Sequence, residues 1–268
     1  MKKLFLVDAY ALIFKYYYAF LGRPMRNRAG MNTSVVFGFV KFLRDIQKRE
    51  RPDLLGVAFD PKGGSFRREV FPEYKANRAE TPEDILLSVP YVKRVLEAMC
   101  IPILEVEGYE ADDVIGTLAR KAEQQGFTTY MVTPDKDYAQ LVTSRTFMYR
   151  PARMGNGIEI WDIPRVQERF GVQDPLQVRD YLGMMGDASD NIPGVPGIGE
   201  KTALALISKF GSLQGVYDNI DDKAVKPGQR AKLTANRDKA DLSYMLGTIR
   251  KDAPIETDPA AYLRQPGD

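Results

Sequence analysis

The sequence lacks histidine altogether and has a single cysteine, Cys100, among its 268 residues. Structural zinc sites need clusters of these two residue types, disulfide frameworks need paired cysteines, and nucleophilic triads normally need a histidine base. Acid–base or metal chemistry must therefore rest on Asp, Glu, Lys, Arg or Tyr side chains. Cys100 follows a helix-like segment, and we expect it to be a small core residue.

Long hydrophobic runs are missing as well. The longest apolar stretches, such as residues 4–7 and 35–40, are far shorter than the roughly 18 residues of a membrane-spanning helix. Asp8 follows the first stretch too early for a signal peptide. Hydrophobic residues make up 44% and charged residues 28% of the chain, as in ordinary globular proteins. We therefore expect a cytoplasmic protein without a membrane partner.

The first half alternates between two kinds of segment. Short runs rich in β-branched and aromatic residues predict buried strands, and the amphipathic segments between them predict helices. This alternation favours an α/β fold with a mostly parallel central sheet flanked by helices. The predicted strands are 4–7, 54–59, 103–106 and 128–132, and the predicted helices are 34–50, 82–99 and 111–125.

The second half changes character after a predicted hairpin, whose strands 147–150 and 158–161 flank a Met-Gly-Asn-Gly turn. The pattern is helical from there on, with Asp162 and Asp174 as expected N-caps ahead of Pro164 and Pro175. A Gly/Pro-rich hairpin at 192–199 separates two helices, and a last helix is predicted at 227–246. The proline-bearing tail from Asp252 is typical of a linker or the end of an excised domain.

Carboxylates follow each predicted strand. Asp8 and Asp60 end the first two, the third leads to Glu110, Asp112 and Asp113 at the start of a helix, and the fourth runs into Asp135 and Asp137. Ligands of open parallel sheets bind at the carboxyl ends of the strands, so these acids should meet at one edge. Dipole compensation explains acids in one first helical turn, but it does not explain acids that follow three other strands. Asp187 and Asp190 form a further pair with i, i+3 spacing, which alone could be a capped turn.

Nine carboxylates in one cleft would raise each other's pKa unless a cation were present. An all-oxygen ligand set favours hard cations, Mg²⁺ or Mn²⁺. Two such ions about 4 Å apart can activate a water and stabilise the leaving oxygen of an in-line displacement, so the chemistry predicted is phosphodiester hydrolysis. Setting these nine acids aside leaves 27 acids against 38 basic residues, an excess of about 11 positive charges that suits a polyanionic substrate.

Basic and aromatic residues alternate between the second and third predicted strands. Basic side chains can bind phosphates and aromatic rings can stack on bases, although a solvated helix face with core aromatics is the alternative. A second aromatic and basic segment, 14–18, precedes arginines at 23, 26 and 28. The first segment contains Phe66, Arg67, Arg68, Phe71, Tyr74, Lys75 and Arg78, followed by Arg94.

The stretch 192–202 nearly matches a nucleotide-binding P-loop. Gly194 and Gly199 have the required separation, but Glu200 intervenes before Lys201 and no strand precedes the stretch. A glycine hairpin that leads into a helix offers backbone N–H groups to anions. We therefore expect this hairpin to bind the phosphate backbone of a duplex without recognising its sequence.

With these motifs in view, the chain resembles the 5′-nuclease (flap endonuclease) family, especially the N-terminal 5′→3′ exonuclease domain of bacterial DNA polymerase I. The resemblance covers residues 1 to about 255. It rests on Leu-Val-Asp8, Ala-Phe-Asp60, Tyr74-Lys75-Ala-Asn-Arg78, Glu110-Ala-Asp112-Asp113, Asp135-Lys-Asp137 and Gly186-Asp187-Ala-Ser-Asp190.

The resemblance implies a role for each motif. The first metal would be held by Asp8, Asp60, Glu110, Asp112 and Asp113, and the second by Asp135, Asp137, Asp187 and Asp190. Lys75 and Arg78 would contact the scissile phosphate from a helical arch. The implied DNA-binding residues are Lys15, Tyr74, Gly194, Gly197, Gly199, Lys201 and Thr202.

The resemblance also implies an architecture and partners. It predicts a resolvase-like or PIN-like α/β nuclease domain at 1–170 with the arch at about 66–90. A helical DNA-binding region would follow at 171–255, with a helix-hairpin-helix at 192–202, and then a linker at 256–268. Expected cofactors are two or more Mg²⁺ or Mn²⁺ ions, with K⁺ at the hairpin. Expected partners are branched, flapped or nicked DNA and a polymerase domain in the same polypeptide, for a monomer in the bacterial nucleoid engaged in primer removal and repair.

One departure from the family pattern concerns a phosphate contact. The family usually has a Gly-Ser-rich turn and an arginine after the first aspartate, whereas this chain has Ala9-Tyr10-Ala11 and Lys15. Lysine keeps the charge but not the bidentate geometry. Two other classes of function stay open on sequence: a catalytically silent module that binds branched DNA, and a nucleotide hydrolase that uses the glycine hairpin and Lys201.

Overall fold

The structure is a computed structural model that describes residues 2–152, 157–255 and 258. A six-stranded sheet with the order β3-β2-β1-β4-β5-β6 forms its centre. The strands are parallel except β6, which pairs antiparallel with β5. Their bounds are β1 Lys3–Asp8, β2 Leu54–Ala58, β3 Ile103–Leu104, β4 Thr128–Val132, β5 Thr146–Pro151 and β6 Ile158–Trp161.

Helices connect and flank the strands. In the first half they are α1 Ala9–Phe20, α2 Ser34–Arg49, α3 Phe66–Val70, α4 Glu83–Ala98 and α5 Ala111–Gln124, with a 3₁₀ helix at Lys136–Leu141. The second half contains α6 Ile163–Phe170, α7 Gln177–Met185, α8 Glu200–Phe210, α9 Leu213–Asp218, α10 Pro227–Ala235 and α11 Arg237–Gly247. The predicted α/β class and helical C-terminal region are confirmed.

Alternation along β1 divides the core between the two faces of the sheet. Leu4 and Leu6 pack with α5 and the C-terminal helices, whereas Phe5 and Val7 pack with α1, α2 and α4. All four side chains are fully buried. Because successive strand side chains point to opposite faces, a strand covered on both sides must be apolar throughout.

Several predicted bounds differ from the structure. The third strand has only two residues and ends at Leu104, and the predicted helix 227–246 is two helices that meet at Asn236. Asp162 caps α6 as expected, but α7 begins at Gln177 and Asp174 instead accepts a hydrogen bond from the Leu176 amide in the preceding turn. The hairpin strands are present, while residues 154–156 of the predicted turn lie outside the described residues.

Two further expectations fail. Cys100 is exposed rather than buried, because it follows the end of α4 with a positive φ of 51°. The tail is not a free linker from Asp252 onward, because the Ala253 amide donates to Thr117 and Ala253 is 4% exposed. Of the predicted linker 256–268, only residue 258 is described. No helix in the described part of the chain is long and apolar enough to cross a membrane.

Candidate functional site

The first two strands each end at an aspartate that also holds the start of a helix. Asp8 closes β1 and accepts a hydrogen bond from the Ala11 amide of α1 at 3.1 Å. Asp60 follows β2 and accepts from the Ala111 amide of α5 at 2.8 Å. Adjacent parallel strands place these two carboxylates side by side, and the charge of Asp60 acts on Asp8.

Glu110 is the N-cap of α5, and its carboxylate accepts three hydrogen bonds. Its Oε1 accepts from the Ser65 hydroxyl at 2.9 Å. Its Oε2 accepts from the Tyr74 hydroxyl at 3.1 Å and from Lys75 Nζ at 2.8 Å. Glu110 is therefore fixed by groups from the segment that precedes α4.

Asp112 and Asp113 follow in the first turn of α5 but have different surroundings. Asp112 is half-buried, and its Oδ1 accepts from the Asp113 amide at 2.7 Å. Asp113 is fully buried, and both of its oxygens are bonded to Arg67. These contacts distinguish Asp113 from the other acids.

The remaining four acids come from two loops. Asp135 begins the 3₁₀ helix and accepts from the Asp137 amide at 3.0 Å. Asp187 and Asp190 lie in the loop after α7, where Asp187 accepts from the Ser189 amide and hydroxyl. The charge of Asp190 reaches Asp135, and that of Asp135 reaches Asp8.

The structure thus brings all nine predicted acids into one connected region at the carboxyl ends of β1, β2 and β4. Tyr74 joins its two parts, since its hydroxyl lies 3.1 Å from Glu110 Oε2 and 3.5 Å from Asp190 Oδ2. Crowded carboxylates in a desolvated cleft resist ionisation. Loss of solvent and the charge of Asp60 raise the pKa of Asp8 to about 7.

Other acids of the region show the same effect. Desolvation and the charge of Asp113 raise the pKa of Asp112 well above its usual value, and desolvation with the charge of Asp135 does the same for Asp137. Desolvation opposes ionisation of Glu110 and Asp187 too. The charges of Lys75 and Arg67 nevertheless lower the pKa of Glu110, and the Lys136 hydrogen bond lowers that of Asp187.

Basic side chains compensate part of this negative charge. Lys75 Nζ lies 2.8 Å from Glu110 and 3.9 Å from Asp190, and Arg78 Nη2 lies 2.5 Å from Asp190. Lys136 Nζ lies 2.8 Å from Asp187. Among the described residues, no group of three or more acidic side chains is arranged to hold a metal ion.

The donor chemistry nevertheless fits a divalent cation. The cleft offers carboxylate oxygens without competing nitrogen or sulfur ligands, which is what hard cations bind. Asp137 Oδ1 is buried and has no hydrogen-bond partner. A buried carboxylate oxygen without a donor is costly, and a cation is the partner that such an atom lacks.

The segment expected to form an arch lies directly over the acids. It is helical in α3 and from Glu83 onward, with turns at 72–77 between. The Lys75 amide donates to the Asp190 carbonyl, and the Asn77 side chain donates to the Ala188 carbonyl at 2.7 Å. Lys75 and Arg78 are therefore held beside the acids by main-chain contacts as well as by charge.

Two of the expected DNA-binding residues, Tyr74 and Lys15, and one residue of the basic segment have side chains that are engaged within the protein. Tyr74 is 3% exposed, so its ring cannot stack on a base in this arrangement. Arg67, from the basic segment, is 1% exposed and equally unavailable to phosphates. Lys15 donates to the Ala152 carbonyl at 2.5 Å, where burial lowers its pKa.

The glycines of the hairpin at 192–199 divide into two kinds. Gly194 is buried, and its amide donates to the Ser243 hydroxyl at 2.8 Å, so it shapes the hairpin instead of offering an N–H group. Gly197 and Gly199 are exposed, and α8 begins directly after Gly199. Lys201 in the first turn is exposed and Thr202 is half-buried.

Sequence reasoning missed five residues of the site. Lys136 could have been found, because it stands between two of the predicted acids. Thr133 and Tyr138 donate to Asp8, but hydroxyl residues near a strand end give no distinctive signal. The same holds for Ser65, while Arg67 was named only as one residue of the basic segment and was given no role in the acidic site. The missed residues are Ser65, Arg67, Thr133, Lys136 and Tyr138.

Comparison with protein families assigns both halves of the chain. Residues 3–171 match the 5′-3′ exonuclease N-terminal resolvase-like domain, and residues 173–268 match the 5′-3′ exonuclease C-terminal SAM fold. The chain belongs to the 5′-3′ exonuclease family.

Relatives within this family are much longer than the chain. DNA polymerase I of Bacillus caldotenax is 41% identical over 258 residues, and that of Bacillus subtilis is 40% identical over 256 residues. Each match covers 95% of the chain but only 29% and 28% of the relative. The chain therefore spans less than a third of these proteins.

Solved structures share the fold at low identity. A T5 5′-exonuclease with bound zinc has a TM-score of 0.75 at 23% identity, covering 92% of this chain and 89% of that one. The catalytic core of Rad2 in complex with DNA substrate has a TM-score of 0.59 at 18% identity, covering 100% and 83%. The resolvase-like sheet with a helical C-terminal region is thus a recurrent fold.

Proposed function

We propose that this member of the 5′-3′ exonuclease family is a divalent-metal-dependent, structure-specific 5′ nuclease. It hydrolyses phosphodiester bonds at 5′ flaps and 5′ ends of branched or nicked duplex DNA. The observation that carries the proposal is the convergence of nine acids and two basic side chains in one cleft. The T5 5′-exonuclease structure with zinc and the Rad2 structure with DNA substrate support the same class of ligand.

The acids of the cleft would hold two or more Mg²⁺ or Mn²⁺ ions. Asp8, Asp60, Glu110 and Asp112 form one group, and a second group comes from the loops at 135–137 and 187–190. Bound ions supply an activated water and charge compensation at the leaving oxygen. Since Asp113 is fully bonded to Arg67 and backbone amides, we assign it to support of the first group.

Lys75 and Arg78 would neutralise the phosphate that is cut. In the structure their charges are directed at Glu110 and Asp190. A phosphate that enters the cleft offers both groups an alternative anion at the same place. Preorganised cations of this kind stabilise the negative charge of a transition state more than that of the ground state.

The glycine hairpin would bind the duplex next to the cleft. The exposed Gly197 and Gly199 and the N-terminus of α8 offer backbone N–H groups, and Lys201 adds a charge. Such contacts position a phosphate backbone without reading its sequence. The same hairpin would hold a K⁺ ion.

The cellular setting is also a proposal. Because the curated relatives are DNA polymerases I of about three times this length, we infer a polymerase domain in the same polypeptide. The activity would serve primer removal and repair, in a monomer in the bacterial cytoplasm at the nucleoid, without a membrane partner.

The test is cleavage of a 5′-labelled flap substrate in Mg²⁺, in Mn²⁺ and in EDTA, with the product length mapped. We expect a short 5′ product in either metal and none in EDTA. The matched substrates are a blunt duplex and a 3′ flap, which should be cut far more slowly.

Two outcomes would favour other classes of function. Tight flap binding without product in either metal would indicate a silent DNA-binding module. ATP turnover that is lost in Lys201→Ala would indicate a nucleotide hydrolase. The hairpin follows α7 rather than the strand that a P-loop requires, as the sequence predicted.

A further inference from the structure

The guanidinium of Arg67 joins three separate parts of the chain. Arg67 lies in α3 and is 1% exposed. Its Nη1 and Nη2 donate to the two Asp113 oxygens at 2.7 and 2.9 Å. Its Nε donates to the Leu246 carbonyl at 2.8 Å, and Nη2 also donates to the Thr248 carbonyl at 2.9 Å. Arg67 therefore links α3, α5 and the end of α11.

Asp113 has no oxygen left for another ligand. Besides Arg67, its Oδ1 accepts from the Arg250 amide at 2.8 Å and its Oδ2 accepts from the Glu110 amide at 3.1 Å. Each oxygen thus has two donors, and the side chain is fully buried. The Asp113 carboxylate is therefore fully bonded to groups of the protein itself.

The pair holds Glu110 at two points. Asp113 accepts the hydrogen bond from the Glu110 main-chain amide, and Arg67 Nη1 lies 3.7 Å from Glu110 Oε2. The same Oε2 accepts from Lys75. Arg67 therefore acts on the Glu110 carboxylate directly, beside Ser65, Tyr74 and Lys75, and on the Glu110 backbone through Asp113.

We propose that Arg67 is a positioning residue for the acidic site. It fixes Glu110 and Asp112 at the start of α5 relative to α3, which carries the segment with Lys75, and relative to the chain after α11. The proposal rests on the proposed function, since it concerns the binding of the divalent ion. Lysine could not replace Arg67, because one ammonium cannot form a bidentate pair while donating to two carbonyls.

The test separates positioning from simple stabilisation. Arg67→Met leaves Asp113 buried and unpaired, so loss of stability is expected for either role. The double variant Arg67→Met/Asp113→Leu replaces the pair by apolar side chains, which often preserve stability. Arg67→Lys keeps the charge, and Arg49→Met is the matched control, because Arg49 donates to Tyr149 away from the acids.

Two measurements are made on each variant: urea unfolding without metal, and Mn²⁺ binding by calorimetry. We expect the double variant to recover most of the stability lost in Arg67→Met. Its Mn²⁺ affinity should stay about 10- to 100-fold below wild type, as is typical when a partner of a metal ligand is removed. Arg67→Lys should also bind Mn²⁺ more weakly, and Arg49→Met should bind it normally.

Mn²⁺ affinity restored in the double variant, or unchanged in Arg67→Lys, would overturn the proposal. Hydrogen exchange of the metal-free protein adds a readout without metal. Amides of the segment 65–76 should exchange faster in the double variant than in wild type, and equal exchange would also refute positioning. If the wild-type chain binds Mn²⁺ but cuts no flap, the proposed function fails while this comparison still decides the role of Arg67.

Discussion

Both the backbone and the side chain of Lys75 are held at the cleft. Its φ of 57° is rare for a residue with a Cβ atom, and its amide is held by the Asp190 carbonyl. Its ammonium lies 2.8 Å from Glu110. Strain of this kind persists where the surrounding contacts maintain it, and it concentrates at functional sites.

Lys75→Ala should lower single-turnover cleavage of a 5′ flap by about 10²- to 10³-fold, the usual cost of a missing preorganised group. Alanine also carries a Cβ atom, so the backbone requirement is unchanged and the loss reports the ammonium. Flap affinity should change much less than the rate. Lys41→Ala is the control, since Lys41 pairs with Asp45 on the exposed face of α2. A Lys75→Ala protein that cuts at the wild-type rate would exclude the proposed role.

The sequence was sufficient to find the acids but not their partners. Asp8 and Asp60 could be placed because each ends a strand, and strand ends meet at one edge of a parallel sheet. Arg67 could not be placed, since its partners Leu246 and Thr248 are 179 and 181 positions away. A basic residue in a basic segment gives no sign that it is buried.

The hairpin before α8 is the element whose shape depends most on glycine. Gly186 and Gly194 both have positive φ values and lie against each other. A Cβ atom built on Gly194 would lie 2.4 Å from the Met185 carbonyl carbon. Backbone segments approach here as closely as only glycine allows.

Gly194→Ala should lower the free energy of unfolding by at least about 1–3 kcal/mol, the typical cost of a strained backbone conformation. The matched control is Gly199→Ala in the same hairpin, where φ is −97° and nothing lies within 4 Å of the added Cβ atom. That change should stay within about 0.5 kcal/mol. Urea unfolding of both variants gives the comparison, and equal stabilities would show that the hairpin backbone relaxes freely.

Arg67→Met should destabilise the protein by about 3–5 kcal/mol, because it leaves a buried carboxylate without its partner. The substitution also removes the contact that α3, α5 and the end of α11 share. Equilibrium urea unfolding without metal measures it. Arg49→Met is again the control, and a loss in Arg67→Met no larger than in that control would contradict the structural argument.

Helices and strands with long apolar periodicity were predicted well. An element boundary that depends on one polar residue was predicted poorly. The helix 227–246 is interrupted at Asn236, whose side chain donates to the Lys232 carbonyl and whose φ of −129° leaves the helical region. Asparagine competes with the backbone for hydrogen bonds in this way. Periodicity continues through Asn236, so the sequence pattern alone does not reveal the break.

On the scale of the whole molecule, charge is separated into an acidic cleft and a basic remainder. The chain has 38 basic and 36 acidic residues, and nine of the acids lie in the cleft. Folding must bring these like charges together, which costs stability, while binding of cations recovers it. The protein without cations should therefore be less stable than the protein with cations bound in the cleft.

Mn²⁺ at 100 times its dissociation constant should stabilise the wild-type protein by about 2.7 kcal/mol per site, by mass action.

The variant Asp137→Asn should differ from wild type in opposite directions without and with Mn²⁺. Without metal we expect it to be at least as stable as wild type, because a neutral amide replaces a carboxyl group whose ionisation is opposed by desolvation and by the charge of Asp135, which raise its pKa. With Mn²⁺ its gain should be smaller than that of wild type. Thermal unfolding across a Mn²⁺ titration measures both, with Asp218→Asn on the exposed side of α9 as the control. Equal metal-dependent gains in Asp137→Asn and wild type would remove Asp137 from the site.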